Sequence, residues 1–212
     1  MLWITAGIIA SYIIGSIPTA YIFGRVLKGV DIRKFGSGNI GATNAMRVLG
    51  KKAGVAVLFL DAFKGFFPVF VIGAVLARKQ ELVSAGLSFM LPGIAAICGH
   101  NWTVFLGFKG GKGVATTLGV LIALSFKVSG LGAVLLYCLA IWLAVFLLLR
   151  IVSIASVVMA VALPVLMYLF KQPRALVFTG ILLAFFAVLR HRPNIRRFLK
   201  GEEPRLNFRR SA

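Results

Sequence analysis

Three segments of this chain hold the groups that could do chemistry, and all three favour binding an anion. Residues 36–47 read GSGNIGATNAMR. Ser37, Asn39, Thr43 and Asn44 offer small donors and amides, and Arg47 can grip a phosphate with two parallel hydrogen bonds. Gly36, Gly38 and Gly41 let the backbone approach a ligand closely, and successive N–H groups in such a run can form an anion-binding nest. A polar loop without a ligand would also contain amides, but it would not need them at this density. Residues 99–117 read GHNWTVFLGFKGGKGVATT. Here Gly110, Gly111, Lys112 and Gly113 open an apolar helix, whose free N–H groups and the Lys112 ammonium would make a phosphate cradle. This is not a nucleotide P-loop, because Lys112 is followed by Gly113 rather than Ser or Thr. Lys109 fits a plain topological charge better than Lys112 does. Residues 190–203 read RHRPNIRRFLKGEE. His191 and Asn194 lie three apart and, on a helix, share a face with Arg197. Arg192 and Lys200 read as an anchor to anionic lipid.

Polar groups inside the apolar runs add to this set. Asp61 and Lys64 are three apart on one helix face. A lone charge at the bilayer centre costs about 2.5–3.5 kcal/mol, so the two are expected to pair or to face a polar cavity. Ser153 and Ser156, at the same spacing, begin a later apolar run, where serine also commonly bonds the preceding turn.

What the chain lacks narrows the chemistry further. It has five acidic residues, of which Asp31 and Glu81 sit in loops with no partner visible in the sequence, while Glu202 and Glu203 are adjacent within the basic tail. A two-metal carboxylate site is not expected, nor is any metal or cofactor. No cysteine nucleophile lies in a loop and no Gly-x-Ser-x-Gly elbow is present. His100 has no acid four residues on, so no His–Asp dyad of local spacing exists. Cys98 and Cys138 lie in apolar runs and read as packing residues. The remaining possibility is an anion-binding, amide-rich site beside lipid, suited to a phosphorylated polar molecule meeting something apolar.

The elements that must position these groups are membrane helices. The chain has 212 residues, of which 60% are hydrophobic and 14% charged, against about 25% charged in a soluble domain. Lipid must therefore be the solvent for much of it. Apolar runs predict seven spans, at 2–24, 53–77, 84–106, 113–126, 130–149, 151–170 and 175–189. The fourth and seventh are short, and a five-span arrangement that merges or demotes them is the alternative. Arg150 alone separates the fifth and sixth, which predicts a tight helical hairpin. The N-terminus has no basic stretch before its apolar run, which argues for a retained first helix.

The net charge is +19, from 24 Lys+Arg against 5 Asp+Glu. No soluble domain carries this charge, so anionic lipid or a phosphorylated substrate is the expected partner and nucleic acid is not. With an external N-terminus, segments 25–52, 107–112, 150 and 190–212 lie inside with seven, two, one and eight Lys/Arg. The outside then carries five, and Lys64 lies within a span. The bias predicts a cytoplasmic C-terminus and puts all three polar segments on the cytoplasmic face. The chain is expected to be a single polytopic membrane domain over 1–212, all-α, with no internal repeat.

At these segments the chain resembles the bacterial acyl-phosphate:glycerol-3-phosphate acyltransferases, the PlsY family. The matching pieces are GSGNIGATN with Arg47, Gly99-His100 followed by FKGGKGVAT, and His191 with Asn194 and the Gly201-Glu202 end. The resemblance runs over nearly the whole chain. It implies an enzyme of the bacterial inner membrane that moves a fatty acyl group from acyl phosphate to the 1-hydroxyl of glycerol 3-phosphate. Lysophosphatidic acid and inorganic phosphate would be the products, in the first step of phospholipid synthesis, with no cofactor or metal. Carried over residue by residue, it marks Ser37, Asn39, Arg47, Lys109, Lys112, His191 and Asn194 for the two phosphates. His191 and Asn194 are the catalytic candidates. Asn44, His100, Thr116, Ser153 and Ser156 are secondary candidates, beside the backbone of Gly38, Gly110, Gly111 and Gly113. The rival readings are a secondary transporter for an organic phosphate and a lipid-binding scaffold. A transporter would place its site near the midplane between repeats, and a scaffold would not need the glycine-dense motifs.

Overall fold

The computed structural model describes residues 1–79 and 85–206. Glu81 and the first residue of the third apolar run, Ser84, lie outside the described residues. The described chain is all helical, in two compact units, 1–127 and 128–212.

The N-terminal unit begins with α1 (Leu2–Ser16) and α2 (Thr19–Lys28), one apolar run broken where Pro18 cannot donate to the helical ladder. A polar loop with a 3₁₀ turn at Ile32–Lys34 leads to α3 (Ala42–Leu49). α4 (Lys51–Phe67) continues through a π turn at Pro68–Ile72 into α5 (Gly73–Lys79). α6 (Ala85–Asn101) and a second 3₁₀ turn, Val104–Leu106, precede the glycine loop and α7 (Val114–Ser125). Small residues set the helix contacts, as expected where lipid gives helices no hydrophobic reason to associate. A Cβ on Gly15 would strike the Ala96 backbone, joining α1 to α6. A Cβ on Gly65 would strike the Thr116 carbonyl, and one on Gly119 the Ala62 carbonyl, so α4 and α7 touch backbone to backbone. The Tyr12 hydroxyl donates to the Trp102 carbonyl at 2.6 Å, and Thr103 Oγ1 donates to the Ser16 carbonyl at 2.5 Å. These bonds pin the end of α6 against the break in the first span.

The C-terminal unit comprises α8 (Leu131–Leu149), α9 (Val152–Leu169), α10 (Arg174–Arg190) and α11 (Arg192–Leu199). Arg150 takes the left-handed conformation (φ 58°) that ends α8, and Ile151 starts α9, which is the hairpin the single intervening arginine predicts. Cys138 is buried in this unit, and Cys98 is partly buried in the other; both are free thiols.

Each of the seven apolar runs is mostly helical over its described residues, with internal breaks at Ile17 and Pro18 in the first and at Trp102 and Thr103 in the third. Among the described residues, five segments are long and apolar enough to cross a membrane: Leu2–Lys28, Lys51–Lys79, Gly86–Leu106, Leu131–Leu149 and Val152–Leu169. α10 with α11, bent by 59°, makes a sixth if the pair is one span. α7 has 12 residues; it rises about 18 Å, short of a hydrocarbon core about 30 Å thick. The chain is a multi-pass membrane protein.

Candidate functional site

The loop 31–44 is built around one amide. Asn44, 1% exposed, accepts from the Ser37 N–H at 2.8 Å and donates to the carbonyls of Ile32 (3.3 Å) and Phe35 (3.1 Å). Its side chain thus serves the loop's own backbone. Gly36 has φ 60°, and a Cβ there would strike the Asn44 amide oxygen, so only glycine fits. With the backbone held this way, the Ser37 side chain, Gly38 and Arg47 are left exposed, and Asn39 is half-buried. Asp31 does have a partner. Arg33 reaches back two residues across the 3₁₀ turn, with Nη2–Oδ2 at 2.7 Å and Nε–Oδ1 at 3.0 Å, and Asp31 also caps the turn through the Arg33 N–H. Sequence spacing hides this pair because i, i+2 residues face each other in a turn but not in a helix. The Arg33 hydrogen bonds outweigh burial and hold the Asp31 carboxyl at about 2.

The glycine loop folds back on the end of α6. Gly111 N donates to the His100 carbonyl at 2.9 Å, and Gly110 N to the Asn101 carbonyl at 3.2 Å. Gly113 (φ 76°) turns the chain into α7, and a Cβ there would crowd the Asn101 amide. Lys112 is half-buried just before the α7 N-terminus, whereas Lys109 is exposed. A Cβ on Gly111 would strike His100 Nε2, so the imidazole lies directly against this loop. Thr116 is fully buried in the first turn of α7, and its hydroxyl has no partner among the described residues.

Beneath His100 lies a group the sequence reading left as a pair. Asp61 and Lys64 bond at 2.9 Å, at 1% and 6% exposure. The same carboxylate oxygen accepts from Thr19 Oγ1 at 2.9 Å and lies 3.8 Å from His100 Nδ1. Lys64 Nζ donates to the Ile17 carbonyl at 2.7 Å. The histidine therefore has an acid beside it, 39 positions away in sequence. Local spacing could not reveal it.

In the C-terminal unit the organiser is Glu203. Its Oε1 accepts from Ser153 Oγ (2.7 Å) and Asn194 Nδ2 (2.5 Å), and its Oε2 from Arg197 Nε (2.8 Å). The tail is carried back to the hairpin by the Leu206 N–H, which donates to the Arg150 carbonyl at 2.8 Å. The i, i+3 face of Asn194 and Arg197 forms as expected, turned towards an acid the sequence reading left in the basic tail. His191, 2% exposed, caps both α10 and α11. Its Nδ1 lies 2.7 Å from the Ala187 carbonyl; a carbonyl only accepts, so Nδ1 carries the proton and a neutral ring leaves Nε2 as the acceptor. Ser156 Oγ donates to the Val152 carbonyl and accepts from Trp142 Nε1. The bond to the preceding turn thus occurs alongside a bond to an indole.

Burial alone would raise the Glu203 carboxyl, but the bonds from Asn194, Ser153 and Arg197 outweigh it and hold it low. A lowered folded-state value stabilises above the unfolded value of about 4.3 and is lost as pH falls through the folded value. Glu203→Gln is expected to cost about 1–3 kcal/mol at pH 7, read as a lower thermal midpoint in detergent. The wild type should lose the same increment below pH ~4. Equal midpoints for the two proteins at pH 7 would leave the carboxylate with no holding role.

The comparisons with known proteins agree with these elements. The family model for glycerol-3-phosphate acyltransferase matches residues 5–201. The glycerol-3-phosphate acyltransferase of Gloeobacter violaceus is 44% identical over 198 residues, covering 93% of this chain and 92% of that protein. That of Desulforudis audaxviator is 45% identical over 199 residues, covering 94% and 93%. The crystal structure of PlsY (YgiH), an integral membrane glycerol 3-phosphate acyltransferase, in its glycerol 3-phosphate form, is similar with a TM-score of 0.84 and 39% identity over 96% of each chain. Its lysophosphatidic acid form gives 0.81 over 96% and 95%. On a family match spanning nearly its whole length and relatives above 40% identity, the chain belongs to the glycerol-3-phosphate acyltransferase family.

Proposed function

We propose that the protein transfers a fatty acyl group from acyl phosphate to the 1-hydroxyl of glycerol 3-phosphate, releasing lysophosphatidic acid and inorganic phosphate. The reaction takes place at the cytoplasmic face of the bacterial inner membrane, the face to which the charge bias assigns the polar segments. The observation that carries this reading is the glycine loop. Two backbone hydrogen bonds to the end of α6 hold Gly110 and Gly111, and Lys112 stands before the N-terminus of α7. That arrangement suits a phosphate that leaves or is held, and the similar crystal structure in its glycerol 3-phosphate form supports the identity of the acceptor.

Acyl phosphate is an activated donor, so the protein needs little covalent chemistry of its own. The glycerol hydroxyl oxygen attacks the acyl carbon, the carbon–oxygen bond to phosphate breaks, and phosphate leaves with the electron pair. Positioning and electrostatic stabilisation supply most of the rate. Arg47, Lys112 and the loop N–H groups hold phosphate and stabilise the departing charge; Ser37, Asn39 and Lys109 add donors. The proton of the attacking hydroxyl goes to a substrate phosphate oxygen, with His191 Nε2 as the alternative base and Asn194 fixing α11 through Glu203. The test is phosphate release by purified protein in detergent. Acyl phosphate should be consumed when glycerol 3-phosphate is added, with one lysophosphatidic acid formed per phosphate, and a chelator should leave the rate unchanged. Release without glycerol 3-phosphate, or activity lost with chelator and restored by a divalent ion, would contradict the scheme.

A further inference from the structure

The ion pair of α4 lies inside a membrane span, where an apolar pair would pack without its desolvation cost. Replacing a buried ion pair by apolar residues is often neutral or stabilising, so fold stability alone gives no reason for it. Its bonds suggest a different role. Thr19 and Lys64 both bond Asp61 Oδ1 at 2.9 Å, and the His100 ring packs beside that oxygen, with Nδ1 3.8 Å away. Lys64 then reaches the Ile17 carbonyl at the break between α1 and α2. The pair thus ties the broken first span to α4 and to the end of α6. Two routes lead from it to the glycine loop. One passes through the His100 ring, which lies against Gly111 and whose carbonyl holds the Gly111 N–H. The other passes through Gly65, next to Lys64, whose close approach to the Thr116 carbonyl sets the first turn of α7. The entry and the exit of the loop that presents Lys112 are therefore both referenced to this one pair.

We infer that Asp61 and Lys64 are positioning residues for acyl transfer: they fix the His100 ring and, through it and α7, the geometry of the Gly110–Gly113 phosphate cradle. This rests on the reading of that loop as the phosphate site. Misplacing a reacting group by about 1 Å can cost on the order of a hundredfold in rate, so a loosened cradle has a measurable kinetic signature.

The experiment compares wild type with the double variant Asp61→Asn/Lys64→Met, which removes both charges and leaves no unpaired ion. Thermal midpoint, KM for each substrate and the inhibition constant of inorganic phosphate are measured in detergent. A merely structural pair would change the midpoint and the active fraction but not KM or the inhibition constant, which do not depend on the amount of folded enzyme. The expected result is a near-normal midpoint with the inhibition constant and at least one KM raised about tenfold or more. Thr19→Val, which removes one donor to Asp61 and keeps the pair, should shift the same constants in the same direction by a smaller factor. A folded double variant with unchanged constants overturns the inference. If the double variant does not fold, unchanged constants in Thr19→Val overturn it. Absence of acyl transfer from acyl phosphate to glycerol 3-phosphate in the wild type would instead refute the functional reading itself.

Discussion

Lys112→Ala is expected to lower kcat/KM by about 10²–10³ while leaving insertion and thermal midpoint unchanged, in line with removal of one preorganised charge-stabilising donor. A cation before a helix N-terminus opposes the macrodipole, typically by about 0.3–1 kcal/mol. A bound phosphate would offset that cost, because it interacts with the ammonium and the helix N–H groups together. Lys112→Arg should also be poor. Gly111 and Gly113 flank the position, with the His100 ring and the Asn101 amide packed against them, and a broad planar head has little room there. Near-wild-type kinetics in Lys112→Ala would reduce the residue to a topological charge. Lys109→Ala, at an exposed position in the same segment, should have a much smaller effect.

Asn44→Ala is expected to be comparably severe by a different route. It deletes the acceptor for the Ser37 N–H and the donor to two loop carbonyls at a position 1% exposed. Each buried polar group left without a partner costs about 1–3 kcal/mol, enough to loosen the stretch from Phe35 to Asn44, which lies beyond the Asp31–Arg33 pair. Activity should fall about 10²-fold or more, because Ser37 and Arg47 lose their common frame. Asn44→Asp separates shape from charge. It keeps the acceptor for Ser37 but cannot donate to Ile32 and Phe35, and it puts an anion beside a phosphate-binding segment, so it should be no better than alanine. Proteolysis within 31–44 read alongside the kinetics checks the cause. A loop as resistant as wild type with full loss of activity would mean that Asn44 acts on substrate directly.

Helices and turns were legible because their signals are local. Apolar length marked the runs, Arg150 alone marked the hairpin, and glycines marked loops that the backbone does close tightly at Gly36 and Gly113. The motif residues were legible as types, but their jobs were not. Asn44 reads as a ligand from composition, yet it spends its amide on the loop. Asp31 reads as lone because its arginine sits at a spacing that is useless in a helix. Asp61 beside His100 and Glu203 beside Ser153 are pairings made by chain return over long separations, and no window of sequence holds both partners. The extent of the membrane spans was legible only in part. α7 is too short to cross alone at 12 residues, and α10, at 17 residues, bends by 59° into α11.

The most direct test of the account is a single turnover with enzyme in excess over radiolabelled acyl phosphate. On addition of glycerol 3-phosphate the acyl label should pass to lysophosphatidic acid in one exponential phase. Phosphate should appear at the same rate, and no label should remain on acid-quenched protein at any time. Label held on the chain, for instance at Ser37, Ser153 or Ser156, would contradict direct transfer. Label that never reaches the lipid would contradict the proposed reaction.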